Sequence, residues 1–256
     1  MIMTQDMSRR LVRGLTIPAL LLLVWEIASR TEIVNPRILP PVEEVVARLI
    51  HELAGGELLL NLGASLARDL TGFAAGTTLG MAFGALIGLS RLADRLWGPS
   101  FNALKQIALV AWIPLISIWF GFGETAKIVF IALAAFIPVT LNTYEGVRGA
   151  SDKLVEVGTA LTFSRRQLFV RIFLPSALPS ILTGVHLALI YSWLATVAAE
   201  YFMSVGPGIG GLIVAGRERF EMDLVMLGIL VLGLTGYALN RTAAALEHRL
   251  VRWRPA

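Results

Sequence analysis

Apolar side chains in this sequence come in blocks of about 20 residues, and few folds accept such blocks. At a rise of about 1.5 Å per residue, a helix of that length crosses a hydrocarbon core of about 30 Å. Six segments qualify: 14–30, 66–90, 99–120, 126–145, 177–199 and 223–241. Within lipid each backbone N–H and C=O must be paired inside the chain, so these segments are predicted helices. The fold class that follows is all-α, a polytopic membrane bundle of about six transmembrane helices. Charged residues make up 16% of the chain, against about 25% in soluble domains. There is no cysteine, which excludes disulfides and Cys-ligated metal clusters. His51, His186 and His248 are too scattered to suggest a metal site.

The net charge of +4 is a topology signal, because the basic residues flank apolar blocks and form no nucleic-acid-binding stripe. One side of the bundle receives Arg9, Arg10, Arg13, Arg91, Arg95, Lys105, Arg148, Lys153, Arg165, Arg166, Arg171, Arg241, Arg249, Arg252 and Arg254. The other receives only Arg30, Arg37, Arg48, Arg68, Lys127, Arg217 and Arg219. That asymmetry places both termini and the 146–176 loop in the cytoplasm. The basic N-terminus imitates a secretory signal, but no small-residue cleavage site follows and Trp25-Glu26 interrupts the run. A retained first span is expected. Pro41 to Leu53 reads as a short amphipathic helix at the outer surface, with Pro41 in its first position and Glu43 and Glu44 in its first turn.

Gly72, Gly76, Gly80, Gly84 and Gly88 recur every four residues in the second span. Small residues let helix backbones approach, and van der Waals packing must drive association inside lipid. The stripe drifts by about 40° per step, so it is expected to serve more than one neighbour, within the subunit rather than as a dimer seam. Gly206-Pro207-Gly208-Ile209-Gly210-Gly211 matches a dinucleotide-binding spacing without a βαβ context. A re-entrant or gate-lining turn is the better reading. Gly121 to Lys127 lacks the Gly-Lys-Ser/Thr ending of a phosphate loop, so any ATP hydrolysis belongs to another chain.

The longest connection, Ser151 to Pro175, has the pattern of two short helices. Leu154, Val157, Gly158 and Leu161 share one face of the first. Ser164 and Gln167 match a capping box for the second, with Phe163 and Leu168 as its hydrophobic staple. Pro175 is expected to stop that helix. Exposed apolar surface on such a loop calls for a partner; packing back on the bundle is the alternative.

Glu156-Val157-Gly158, continuing to Ile172-Phe173-Leu174-Pro175, resembles the EAA loop of binding-protein-dependent ABC importer permeases. The resemblance extends over nearly the whole chain. Ile38-Leu39-Pro40-Pro41, Ser65-Leu66-Ala67-Arg68, Ile113-Pro114-Leu115, Trp119-Phe120-Gly121, Asn142-Thr143 with Gly146-Val147, and Ala199-Glu200 all fit, and point to the branch for sulfonates, taurine, nitrate or bicarbonate. It implies a single type I permease domain over 1–256 and a second copy of the chain. It also implies two cytoplasmic ATP-binding subunits that carry ATP and Mg, an extracytoplasmic substrate-binding protein, and a bacterial inner membrane. Glu156, Gly158, Leu161, Thr162, Leu174 and Pro175 become the candidate coupling residues. Relatives usually have Ala and Gly where this chain has Gly158 and Thr162. A β-branched residue resists a left-handed backbone, so Thr162 is expected to keep φ < 0. Ala108 replaces a frequent proline, so a weaker kink is expected there.

Pro114, Ser117, Pro138, Thr140, Asn142, Tyr144 and Glu200 are the candidate pathway residues. Prolines interrupt helices and expose backbone groups to a cavity. The polar groups fit hydrogen bonding between helices equally well, and Glu200 fits a gate, a binding-protein contact or a buried interface. His186 reads as a hydrogen-bonded packing residue, and Glu26 as a charge near the outer third of the first span. A secondary transporter or channel would need coupling acids at mid-membrane or an inverted repeat. An intramembrane enzyme would need a catalytic constellation. The residues show none of these convincingly.

Overall fold

In the computed structural model the described backbone covers residues 2–31, 33–35, 37–203 and 205–250; the side chains of 2–15, 152, 246 and 248–250 are not described. Arg9, Arg10, Arg13, Arg249, Arg252 and Arg254 of the charge count, and His248, therefore lie outside the described side chains. The helices are α1 (Ile2–Arg30), α2 (Val42–Gly55), α3 (Glu57–Leu89), α4 (Arg91–Leu104), α5 (Ile113–Phe120), α6 (Glu124–Arg148), α7 (Asp152–Ala160), α8 (Arg165–Leu168), α9 (Leu174–Phe202), α10 (Ile209–Arg219) and α11 (Met222–Leu250). A 3-10 turn, Leu109–Trp112, precedes α5, and a π turn, Phe169–Phe173, joins α8 to α9. Among the described residues, four helices are long and apolar enough to cross a membrane, and the bent pair Arg91–Leu104 and Leu109–Phe120 makes a fifth if counted as one span. The first expected span coincides with α1, whose described part exposes Ile17, Leu20 to Val24 and Ile27.

The centre of the bundle is α6, packed between α3 and α9. A Cβ on Gly72 would lie 2.6 Å from the Ile131 side chain, on Gly76 2.2 Å from the Ala132 carbonyl oxygen, and on Gly84 2.5 Å from that of Thr140. Gly80 and Gly88 meet Phe136 and Val147 in the same way. All five glycines thus face α6, and the expected second neighbour does not occur, because α6 follows the stripe as it winds. On the other side of α6, Gly146 receives Ala177 and Ser180, and Gly184 of α9 receives Asn142. Apolar packing fills the half of the bundle near the C-terminal end of α9, where Ile113, Ile116, Ala126, Phe130, Ile131, Ala195, Ala199 and Met203 are buried together.

Three further expectations change. The 99–120 segment is no single helix: α4 and the 3-10/α5 unit meet at 98°. Ala108 therefore does not straighten it. The bend falls at 105–108, so the break stands without a proline at 108, and Pro114 sits in the first turn of α5, where a missing N–H is tolerated. Pro138 does not interrupt α6, which continues to Arg148, and the Asn142 amide donates to the Pro138 carbonyl at 2.9 Å. Pro41 sits one place earlier than expected, as the residue before α2.

At the C-terminal end of α1 the Trp25 indole donates to the Pro40 carbonyl (2.8 Å), and Ser29 to that of Leu39 (2.8 Å). Glu26 accepts from the Val42 amide (3.1 Å) at the start of α2. Side chains of α1 thus fix the Leu39-Pro40-Pro41 turn.

Because Gly76 meets backbone rather than a flexible side-chain tip, Gly76→Val is expected to cost about 3 kcal/mol or more. Gly63→Ala, with nothing within 4 Å of the added carbon, is expected to be neutral or stabilising by up to about 1 kcal/mol. Thermal unfolding of both variants in detergent checks this contrast.

Candidate functional sites at the two ends of the bundle

The 151–175 loop folds as a pair of short helices, α7 and α8. The capping box forms: the Gln167 amide N–H donates to Ser164 Oγ (3.3 Å), and the Ser164 N–H to Gln167 Oε1 (2.8 Å). Thr162 has φ 56, so the expectation of negative φ is overturned. The cause is the end of α7. The Phe163 N–H donates to the Gly158 carbonyl (3.0 Å) and the Thr162 N–H to that of Thr159 (2.9 Å). These two bonds define a Schellman ending, which requires a left-handed residue at 162. They satisfy otherwise unpaired carbonyls and hold the turn against a penalty of about 1–2 kcal/mol for a side-chain-bearing residue. Gly158 matters as a close approach: a Cβ there would lie 2.7 Å from both Leu168 and Ile172.

Pro175 does not stop the helix. The Leu174 N–H donates to the Phe169 carbonyl, five residues back, and this π turn absorbs the missing donor and the ring of Pro175. Arg165–Phe202 therefore forms a run of 38 residues, about 57 Å long at 1.5 Å per residue. The apolar residues of the loop divide between two tasks. Ile172 is buried, and Leu168, Phe169 and Phe173 are partly buried. Leu154, Val157 and Leu161 are 52%, 57% and 61% exposed, and Glu156, Leu174 and Pro175 are exposed as well.

The second polar concentration lies at the opposite end of the same run. Arg68 of α3 directs Nε and Nη2 at the Glu124 carboxylate (2.6 and 2.8 Å) and Nη1 at Glu200. A guanidinium fork suits such two-point pairing. The Arg68 and Glu200 side chains are both 2% exposed. Lys127, also buried, donates to the Val205 carbonyl and lies 3.7 Å from Glu124. Two cations face two carboxylates, which is the condition for burying such a group. Ser65 donates to Glu200 (2.7 Å). Next to it Thr196 donates to Asp69 (3.1 Å).

The same side chains hold the glycine-rich segment. Gly208, Ile209 and Gly210 donate their N–H groups to Asn61 Oδ1 (2.7 Å), Ser65 Oγ (3.0 Å) and Glu200 Oε2 (2.7 Å). Arg68 also donates to the Pro207 carbonyl (3.1 Å). A Cβ on Gly208 or Gly210 would lie 2.6 Å from Glu200, so glycine lets the backbone close on the carboxylate. The helix that follows, α10, has its first N–H groups paired by side chains.

The candidate pathway residues do not converge. Glu200 belongs to this cluster. Ser117 and Thr140 are buried, and their hydroxyls have no hydrogen-bond partner among the described residues, while Pro114 is exposed. Asn142 lines an open groove of about 530 Å³ between α6 and α9 with Glu145, Ser176, Ser180 and Thr183. Tyr144 lines a different, smaller cavity with Asp94 and Asn102, and Arg148 stacks 4.9 Å over its ring. His186 contacts Asn240 (2.7 Å) and Glu247 (3.2 Å). The charge count assigns Arg68 and Lys127 to the outer ends of two expected spans; both are buried. Their signal was the placement of Arg68-Asp69 inside an apolar block, and of Lys127 at the head of another.

Residues 76–252 match the family described as binding-protein-dependent transport system inner membrane component. The chain belongs to this family. A relative from Escherichia coli, named as an aliphatic sulfonates transport permease, is 38% identical over 240 residues, covering 94% of this chain and 91% of the relative. The taurine transport system permease of the same organism is 32% identical over 253 residues, covering 96% and 91%. The bicarbonate transport system permease of Synechococcus elongatus is 34% identical over 189 residues, covering 74% and 68%. Among solved structures, an inward-facing methionine ABC transporter aligns with a TM-score of 0.58 at 19% identity, covering 73% of this chain and 95% of that one. An amino acid ABC transporter aligns at 0.62 and 14%, covering 78% and 97%. The fold is thus that of ABC importer permeases, and the chain is a multi-pass inner-membrane transport subunit. Fragments that carried the family resemblance, Ser65 to Arg68 and Ala199-Glu200, meet in the buried charge cluster.

Relieving the left-handed Thr162 by Thr162→Gly, less the added freedom of the unfolded chain, is expected to stabilise by about 0.5–1 kcal/mol. Chemical or thermal unfolding of the purified chain in detergent measures this.

Proposed function

We propose that this chain is the permease of an ATP-driven importer for a small oxyanion, an aliphatic sulfonate or taurine first, and that it works as a homodimer. Two cytoplasmic ATP-binding subunits, which carry ATP and Mg, dock on the 151–175 loops, and an extracytoplasmic binding protein delivers the cargo. The observation that carries the reading is the ridge of Leu154, Val157 and Leu161, exposed on a helix pair that is stiffened by a capping box and a Schellman turn. Fully burying each such side chain contributes about 1.5–3 kcal/mol, enough for three of them to anchor a partner. Gly158 and Thr162 set the shape of that surface, Leu174 and Pro175 continue it into α9, and Glu156 supplies an ionic contact at its edge.

Both termini and this loop lie on the cytoplasmic side, by the distribution of Lys and Arg. Helix rocking then opens the pathway alternately to either side. Asn142, in the α6–α9 groove, borders the pathway at its cytoplasmic end, and Pro114, Ser117, Pro138, Thr140 and Tyr144 shape the helices around it. The cargo follows from the sulfonate and taurine permeases that this chain is similar to.

Val157→Asp is expected to weaken capture of the ATP-binding subunit in mild detergent by about tenfold or more, and Glu156→Lys to reduce transport per ATP hydrolysed. Unchanged capture by Val157→Asp would contradict the docking reading. The natural absence of cysteine makes the orientation easy to check. A cysteine at Lys153 should react with an impermeant thiol reagent only after the membrane is opened, and one at Glu57 in intact cells.

A further inference from the structure

We infer that Glu200 is a positioning residue that ties α10 to the outer end of the α8–α9 run, so that displacement of the docking loop reaches the extracytoplasmic segment 205–219. The inference rests on the docking reading above. Arg165–Phe202 is one helical run through the π turn, so the second helix of the docking loop, which begins at Arg165, and Glu200 sit about 50 Å apart on a single element. Beyond Phe202 the chain turns through Gly206 and Gly208, residues that allow a backbone many paths, and α10 approaches α9 where a Cβ on Gly210 would lie 3.1 Å from the Val197 carbonyl oxygen.

Side chains supply the link. Glu200 Oε2 accepts the Gly210 N–H, and its Oε1 takes Ser65 and Arg68. Arg68 holds the Pro207 carbonyl, Lys127 the Val205 carbonyl and Asn61 the Gly208 N–H. Thus α3, α6 and α9 all grip the backbone of 205–210, with Glu200 at the junction. Its burial leaves no water to replace a lost bond. The segment is therefore a clamped piece that travels with the helices, rather than a loop that opens by flexing.

The test uses the permease with its ATP-binding subunits and binding protein in nanodiscs, and the isolated chain in detergent. Hydrogen exchange of amides 208–212 in the wild-type complex should be equally slow with and without ATP. Glu200→Gln should accelerate it about tenfold or more. It should also retain the ATP-binding subunits and raise ATP hydrolysed per cargo moved at least about threefold. If Glu200→Gln fails to fold, Asn61→Ala removes one clamp acceptor and no charge, and should still speed exchange at 208. Loss of protection at 208–212 in one nucleotide state of the wild type would overturn the inference. So would unchanged exchange in the variants, or a loss of transport with the hydrolysis ratio unchanged. Failure of the chain to bind an ATP-binding subunit would instead defeat the docking reading, and exchange in the isolated chain would still decide the clamp.

Discussion

Backbone contact between α3 and α6 sets the dimensions of the rest of the bundle. Where Gly76 faces the Ala132 carbonyl there is no space for a single carbon, and the contact is repeated at every fourth residue of α3. In lipid, apolar side chains gain little by burial against each other, so dispersion between closely fitted surfaces must hold the helices. With α6 held there, α9 packs on its other side through Gly146 and Gly184. Arg68, Glu124 and Glu200, which belong to three separate helices, can then meet.

That meeting links packing to function. A buried arginine would be costly alone, and the close fit brings it the two carboxylates it needs. The carboxylate of Glu200 has capacity left for the N–H of Gly210, so charge burial and the placement of α10 are one arrangement. At the other end of α9, the π turn keeps the second helix of the 151–175 loop in line with the spanning helix. A sharp stop at Pro175 would have left a hinge between the loop and the span.

Sequence patterns revealed local geometry well and long-range pairing poorly. The capping box at Ser164 and Gln167, the amphipathic α2 and the glycine stripe were legible because each depends on residues within a few positions of one another. Thr162 was misread because its intrinsic preference is weaker than the two hydrogen bonds of the turn around it. Pro175 and Pro138 were misread because a π turn in one case leaves the helix unbroken, and in the other α6 runs on to Arg148. Arg68 and Lys127 were counted with the outer charges, since hydropathy places a charge near a span end in water unless its partners are known. Those partners lie 56 and 132 residues away from Arg68, and no local pattern announces them.

On the proposed reading, the exposed apolar ridge of the 151–175 loop makes this chain a receiver of force rather than a transporter in its own right. Uptake of a radiolabelled aliphatic sulfonate into proteoliposomes tests that most directly. Accumulation is predicted only when the chain, its ATP-binding subunit, its binding protein and ATP are all present. Movement of the sulfonate through the purified chain alone, without ATP, would contradict it.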